Sequence, residues 1–356
     1  MDEPTAVLTP QEVNELFKIM KVLVDQGKSI IFITHKLKEV MECADRIQVI
    51  RAGRVVGSTT PAEASPEKLA TMMVGREVEL KTIKNPCKLC DTVLKVSNLY
   101  VVGSQKNLMV EDVSFELRGG EILGIAGVQG NGQTELVRTL TGLMHPVSGS
   151  INLLGKDITR STPRQITDLG TAHIPEDRQK DGLVLDSPVS DNMILNSYYH
   201  KPFSRGVILQ EKKIDEYAND LVKKFDVRPT AITNKVFALS GGNQQKVIVA
   251  REFSRPIQLL IASQPTRGLD VGSIEYIHNR LVEKRDQGCA VLLVSTELDE
   301  IMQLSDRIAV MFRGSILTTV NASDVTKEEL GLLMAGIIPE HHKKDSETQK
   351  ERELVT

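Results

Sequence analysis

Short unbroken apolar runs alternate along this chain with longer stretches in which apolar residues recur at helical spacing. Residues 30–33, 122–126 and 290–294 are continuous apolar runs, the pattern of strands buried on both faces of a parallel sheet. Val13, Leu16, Phe17, Met20 and Val24 fall on one face of a helix. Strands alternating with helices predict an α/β chain with a mostly parallel sheet.

The pattern also repeats. Residues 2–76 match residues 263–337 at a constant offset of 261 without a gap. Pro4-Thr5 returns as Pro265-Thr266, Asp25-Gln26-Gly27 as Asp286-Gln287-Gly288, and Asp45-Arg46-Ile47 as Asp306-Arg307-Ile308; Gly53 and Gly75 return as Gly314 and Gly336. Each copy predicts a helix, a strand, a second helix and a strand pair. Only the second copy follows a long stretch, residues 94–262, with no counterpart before the first. The expectation is a first unit cut off on its N-terminal side at residues 1–80, and a complete second unit at residues 93–340. A linker at 81–92 joins them, where Lys81, Thr82, Lys84, Asn85 and Pro86 interrupt the periodicity. Residues 341–356 are polar and charged, as in a disordered tail.

Composition narrows the class. A chain of 356 residues with 40% hydrophobic and 26% charged residues suits two globular units. Its net charge of −3, with both signs interspersed, gives no electrostatic case for nucleic acid as a partner. No apolar run approaches the ~18–20 residues of a membrane span, and Met1-Asp2-Glu3-Pro4 has no secretory character. The expectation is a cytoplasmic protein able to sit on a membrane partner. Cys87 and Cys90 form a C-x-x-C, which alone suggests half a zinc site or a redox pair. No second ligand pair lies nearby, and the motif sits in the linker rather than at a strand-to-helix turn, so it reads as a bland linker feature.

The chemistry begins after residues 122–126. Gly127-Val128-Gln129-Gly130-Asn131-Gly132-Gln133-Thr134 links this strand to an apolar-periodic helix. That is the setting of a G-x-x-x-x-G-K-[ST] phosphate loop. Glycines let backbone N–H groups converge on phosphate oxygens, and the helix N-terminus adds positive potential. Gln133 stands where the loop lysine belongs, and a neutral amide donates hydrogen bonds without neutralising phosphate charge. Farther on, Leu239-Ser240-Gly241-Gly242-Asn243-Gln244-Gln245 offers a serine hydroxyl and two glycine amides at a predicted helix start.

This segment resembles the LSGGQ signature of the ABC (ATP-binding cassette) ATPases, in the LSGGNQQK form of sugar and nucleoside importers. The resemblance covers residues 1–340. It implies a P-loop NTPase fold: an ABC cassette with a parallel-sheet core, an antiparallel β part and a helical subdomain near residues 187–245, preceded by a partial cassette. ATP and Mg²⁺ are the implied cofactors. In the family's Walker B pattern, Asp-Glu is replaced by Ser263-Gln264 in the second copy, and the switch histidine by Thr296. The first copy keeps all three groups. There the resemblance gives Asp2 to the metal, Glu3 to the attacking water and His35 to the γ-phosphate. The nucleotide-binding set is Gly127, Gly130, Asn131, Gly132, Gln133, Thr134, Ser240, Gly241, Gly242 and Gln244. Glu176 occupies the coupling loop, where the family carries Gln. Asp270 matches the family's D-loop aspartate, with Thr9 at the first copy's equivalent, and Tyr100 lies near the usual adenine-stacking aromatic.

Cassettes of this family pair head to tail, so the second copy's signature would complete a site whose phosphate loop belongs to the first copy. The chain is then expected to hold half of two sites and to hydrolyse ATP poorly alone. The implied partners are transmembrane permease subunits, a second cassette or missing N-terminal part and, indirectly, an extracytoplasmic solute-binding lipoprotein. The work would be done at the cytoplasmic face of the membrane. The stretches 262–272 and 294–300 look most like purine-nucleoside importers, ahead of simple-sugar importers. A non-hydrolysing nucleotide-binding subunit and a soluble ABC ATPase are the alternatives. The short linker and the degenerate second copy argue against the latter.

Overall fold

The structure is a computed structural model; it describes residues 1–5, 10–51, 53–79 and 82–339, with Pro10 and Gln11 as backbone only. Thr9, Leu80, Lys81 and the polar tail lie outside the described residues. The chain forms two compact units, one of Met1–Thr82 with Gly268–His278, the other of Ile83–Arg267 with the residues from Asn279 onward.

In the first unit, helix α1 (Pro10–Asp25) precedes α2 (Leu37–Cys43), an antiparallel pair β1 (Ile47–Arg51) and β2 (Arg54–Thr59), and α3 (Pro66–Val74). Helix α3 starts where the Ser65 side chain accepts from the Lys68 N–H, with Pro66 in the first turn, and stops at the left-handed Gly75. Ile47, Val49 and Leu69 form its small core, with Leu37, Val40 and Met41 packed around them.

The second unit opens with β3 (Thr92–Val102) and β4 (Leu108–Arg118), then β5 (Ile122–Ala126) and α4 (Gln133–Leu140). After β6 (Ser148–Leu153), β7 (Lys156–Asp157) and α5 (Pro163–Asp168), β8 (Thr171–Ile174) enters the core. The helical part holds α6 (Val189–Met193), the small hairpin β9 (Ser204–Arg205) and β10 (Ile208–Leu209), α7 (Glu211–Lys224) and α8 (Gly241–Phe253). The chain returns through β11 (Leu259–Ser263), α9 (Val271–Asp286, its residues up to His278 counted with the first unit), β12 (Ala290–Ser295) and α10 (Leu298–Leu304), ending in β13 (Arg307–Phe312), β14 (Ser315–Asn321) and α11 (Lys327–Met334). The main sheet has the order β14-β13-β5-β12-β11-β8; β14 alone runs antiparallel to its neighbour. A second, antiparallel sheet has the order β4-β3-β6-β7. Leu136, Val137 and Leu140 of α4 are buried in one cluster with residues of both sheets, including Leu94, Ile125 and Val294.

The repeat seen in the sequence recurs element by element. At the same offset α2 returns as α10, the β1–β2 pair as β13–β14 and α3 as α11, and the bulge between Val49 and Ile50 returns between Val310 and Met311. One expectation fails. Residues 30–33 form no strand; they make only an isolated parallel bridge from Asp2 to Ile33. Their counterpart β12 bonds to β11 on one side and β5 on the other. Among the described residues of the first unit no such neighbours exist. Ile31 and Ile33 are accordingly 79% and 56% exposed, whereas Leu292 and Val294 are 0% and 1% exposed. An apolar run becomes a strand only where a ladder receives it.

The segment expected as a linker bonds to the second unit from Lys84 onward. Lys84 donates to the Leu304 and Ser305 carbonyls and to Asp306; Arg285 donates to the Asn85 carbonyl, Asp286 and Asp306. The other Asp306 oxygen accepts from the Ile122 N–H at 2.9 Å, pinning the start of β5. Cys87 and Cys90 are exposed, and no group of three or more metal-ligating side chains exists among the described residues. The Arg285 side chain is 0% exposed, so Arg285→Ala empties a buried position and removes the bonds that tie Asn85, Asp286 and Asp306 together. A loss of about 3–5 kcal/mol is expected in urea unfolding, and a loss under 1 kcal/mol would refute this role.

Candidate functional site

The C-terminal ends of β5, β8, β11 and β12 bring the candidate residues of the second unit together. Parallel register does this: Ser263 of β11 pairs with Val294 of β12, and Ser295 of β12 with Ala126 of β5. Binding residues gather at this edge of a parallel sheet because each strand there ends in a loop above the same crevice.

From β5 the phosphate loop turns through Gly130 and Gly132, both left-handed at φ of +90° and +96°. Gly132 also has a packing reason: a Cβ there would stand 2.0 Å from the Met109 carbonyl oxygen. Asn131 locks the loop from beneath, donating to the Met311 carbonyl and accepting from the Arg313 N–H, while its own carbonyl accepts from the Gly314 N–H. Gln133 is buried, and its side-chain amide donates to the Ile125 carbonyl at 3.2 Å. Thr134, the next residue, donates its hydroxyl to Glu176 at 3.0 Å.

Glu176 follows β8 and links several predicted positions. Its second oxygen accepts from Arg267 at 3.2 Å. The Arg267 carbonyl in turn accepts from Arg178 at 2.7 Å, and the Arg178 guanidinium lies so close over Gly241 that a Cβ there would meet it at 2.7 Å. Arg178 and Arg267 were not singled out in the sequence; their sign is two basic residues flanking the Pro-Glu-Asp and Pro-Thr turns. Ser240 caps α8 and accepts from both the Asn243 N–H and its side-chain amide. Gly241 is half-buried and Gly242 buried. Gln244 is turned inward, donating to the Val236 carbonyl and accepting from Gln179, so its side chain does not face the crevice. Tyr100 lies within β3 and is half-buried.

The two repeat copies place equivalent residues alike. Gln264 has φ of +47° and its N–H donates to the Val294 carbonyl; Glu3 has φ of +40° and its N–H donates to the Ile33 carbonyl. Thr266 donates to Glu300 at 2.7 Å, as Thr5 does to Glu39 at 2.8 Å. What differs is the side-chain pair. In the first copy His35 Nδ1 stands 2.7 Å from Glu3 Oε1. In the second, Gln264 Oε1 meets only the Thr296 hydroxyl at 3.3 Å and its N–H at 3.4 Å. Asp2 is exposed beside the bridge to Ile33. The buried Thr5–Glu39 contact was missed in the sequence, although its recurrence at the same offset was available to find it.

Beyond Glu176 an open cleft of about 310 Å³ is lined by Lys180, Asp181, Asn196, Arg251 and Glu252 among others. Glu252 collects donors from Arg251, Arg255, Asn196 and the His173 N–H. His173 Nε2 is shut off from water without a partner. Burial pushes this imidazole down to about 4; Arg251 adds to the fall, and Glu252 and Asp181 oppose it.

An ABC transporter family model matches residues 110–267. The nucleoside import ATP-binding protein NupA of Lactococcus lactis is 51% identical over 335 residues, covering 94% of this chain and 66% of NupA. The guanosine import ATP-binding protein NupO of Bacillus subtilis is 52% identical over 335 residues, with the same coverage. The ribose import ATP-binding protein RbsA of Bacillus subtilis is 36% identical over 336 residues, covering 94% of this chain and 67% of RbsA. The chain thus spans about two thirds of the length of these relatives. A solved ATP-binding subunit of an ABC transporter superposes with a TM-score of 0.58 at 22% identity, covering 68% of this chain and all of that one.

His173 sets a pH dependence. Its folded value lies below the ordinary 6.5, so between the two values the unfolded chain takes up a proton that the folded chain does not. This contribution is complete above pH 6.5 and is lost as pH falls toward 4. Between pH 7 and 4.5 the wild type should lose about 2–3 kcal/mol more than His173→Gln in urea titrations; equal losses would contradict the assignment.

Proposed function

This chain belongs to the ABC transporter family of ATP-binding proteins, and from that premise we propose that it is the ATP-binding, energy-coupling part of an importer for nucleosides. Nucleosides are favoured over simple sugars because the nucleoside- and guanosine-import relatives stand at 51% and 52% identity, against 36% for the ribose-import relative. No helix among the described residues is long and apolar enough to cross a membrane. The reading therefore needs transmembrane permease subunits, with this chain on their cytoplasmic face and a solute-binding lipoprotein acting through them. The cleft lined by Lys180, Asp181 and Arg251, a few residues along the chain from Glu176, is where the permease would dock. Residues 1–80 are read as part of a first cassette and residues 93–340 as a second.

The loop from Gly127 to Thr134 suits phosphate: two left-handed glycines lead into the start of α4, where the first N–H groups have no partner within the helix, and Gly132 admits no side chain. ATP, accompanied by Mg²⁺, would supply the phosphoanhydride whose cleavage drives uptake. Gly127, Gly130, Asn131 and Gly132 shape the cradle, while Gln133 keeps its amide on the Ile125 carbonyl and adds no charge. Ser240, Gly241 and Gly242 would face nucleotide held by a partner cassette. Asp2 would serve the metal of the first copy's site. Glu3, hydrogen-bonded to His35, is placed to polarise a water, with His35 steadying the carboxylate and the terminal phosphate.

One observation carries this division. Equivalent backbone at the two copies holds Glu3 with His35 in one and Gln264 with Thr296 in the other. A neutral amide and a hydroxyl neither accept a proton from water nor anchor a cation, so the second copy grips nucleotide without cleaving it. The chain alone should release phosphate from ATP no faster than its Glu3→Gln variant. Steady-state release at least tenfold above that variant would overturn the assignment.

A further inference from the structure

Near the Ser240-Gly241-Gly242 turn, Lys246 and Arg228 both bond to Asp226, and Arg267 bonds to Glu176. Arg178 differs from them: it pairs with no carboxylate among the described residues. Its Nη1 donates to the Arg267 carbonyl at 2.7 Å, and its Nε is shut off from water without a partner. Its Nη2 lies over Gly241, 2.7 Å from where a Cβ would stand. The adjoining Asp177 turns one oxygen to the Gln179 and Lys180 N–H groups. Gly241 is not left-handed, so its backbone does not require glycine; its bareness is what admits the guanidinium. Burial pushes Arg178 below the ordinary arginine value; Asp177 opposes the fall and Arg267 adds to it. A half-buried guanidinium with a neighbouring cation and no acid of its own gains from any anion that reaches it.

We infer that Arg178 is an anion-binding residue of the Ser240 turn, taking the terminal phosphate of a nucleoside triphosphate that another phosphate loop presents there. The inference rests on the reading of Ser240, Gly241 and Gly242 given above, and it adds the charge that this reading lacks. The turn itself offers only neutral donors, since residues 239–245 contain no charged side chain. Ser240 Oγ accepts from the Asn243 N–H and from its side-chain amide, which leaves the hydroxyl's own proton to donate. A guanidinium over the next residue brings a full charge and a planar fork that matches phosphate oxygens. Its hold on the Arg267 carbonyl through Nη1 fixes the group while Nη2 stays without a hydrogen bond.

The test is a titration of the full chain, isotope-labelled at glycine, with inorganic triphosphate, read from the amide resonances by NMR. In the wild type the Gly130 and Gly132 amides should saturate first, and the Gly241 and Gly242 amides at higher triphosphate. Arg178→Gln should raise the midpoint at Gly241 and Gly242 about tenfold. Arg178→Lys, which keeps the charge and not the fork, should restore part of the affinity, a rescue that a merely structural contact would not show. Glycine resonances remote from the turn, such as Gly53 and Gly155, should coincide in all three proteins, which shows the variants folded. Equal midpoints at Gly241 and Gly242 in the wild type and Arg178→Gln overturn the inference alone, as do wild-type shifts confined to Gly130 and Gly132. No shift at either pair of glycines overturns the nucleotide-cradle reading and this inference with it.

Discussion

A strand can bury apolar side chains on both faces only if its backbone finds partners along both edges. Much of this molecule follows from whether that condition is met. Strand β12 meets it between β5 and β11, and the three chain segments leaving these strands become the phosphate loop, the Ser263-Gln264 turn and Thr296. The same pattern at residues 30–33 has no such neighbours among the described residues, and it stays irregular with its isoleucines exposed. Three hydrogen bonds survive there, from Met1 to the Ile31 carbonyl, from the Ile33 N–H to the Met1 carbonyl and from the Glu3 N–H to the Ile33 carbonyl, and they bring Glu3 to His35. Local geometry at the Glu3–His35 pair is thus kept where the sheet around it is not.

Much of this was legible in the residues. The offset of 261 carried over to helix ends, to the bulge in the last hairpin and to the left-handed glycines at 27, 53 and 75 with their counterparts. Periodicity and turn chemistry are local properties, and local properties repeat. The phosphate loop was equally plain, because strand, glycines and helix follow one another within a few residues. The failure at residues 30–33 has the opposite origin: a ladder is non-local, and an apolar run does not say what will pair with it. The contacts of Glu176 with Thr134 and Arg267 join residues far apart in sequence that only sheet register brings together. The hold on residues 84 and 85 has the same origin: Lys84 meets Asp306 and the Asn85 carbonyl meets Arg285, partners far off in sequence that the local prolines and lysines do not announce.

The chemistry of the two copies is a division of charge. The first keeps a carboxylate against an imidazole; the second puts an amide and a hydroxyl on equivalent backbone, and Glu176 reaches the loop only as the acceptor of the Thr134 hydroxyl. A group placed to position a nucleotide and a group placed to activate water have different requirements: the former needs a fixed cradle, the latter a base at one atom. On the proposed reading the second unit meets the first requirement and not the second.

The account stands most directly on where nucleotide resides. Equilibrium dialysis of ATP against the chain, followed by photolabelling with an azido-ATP and peptide mapping, measures this in one sample. The account predicts one nucleotide per chain and label confined to peptides of the second unit. Label on the first unit alone, or two nucleotides per chain, would contradict it.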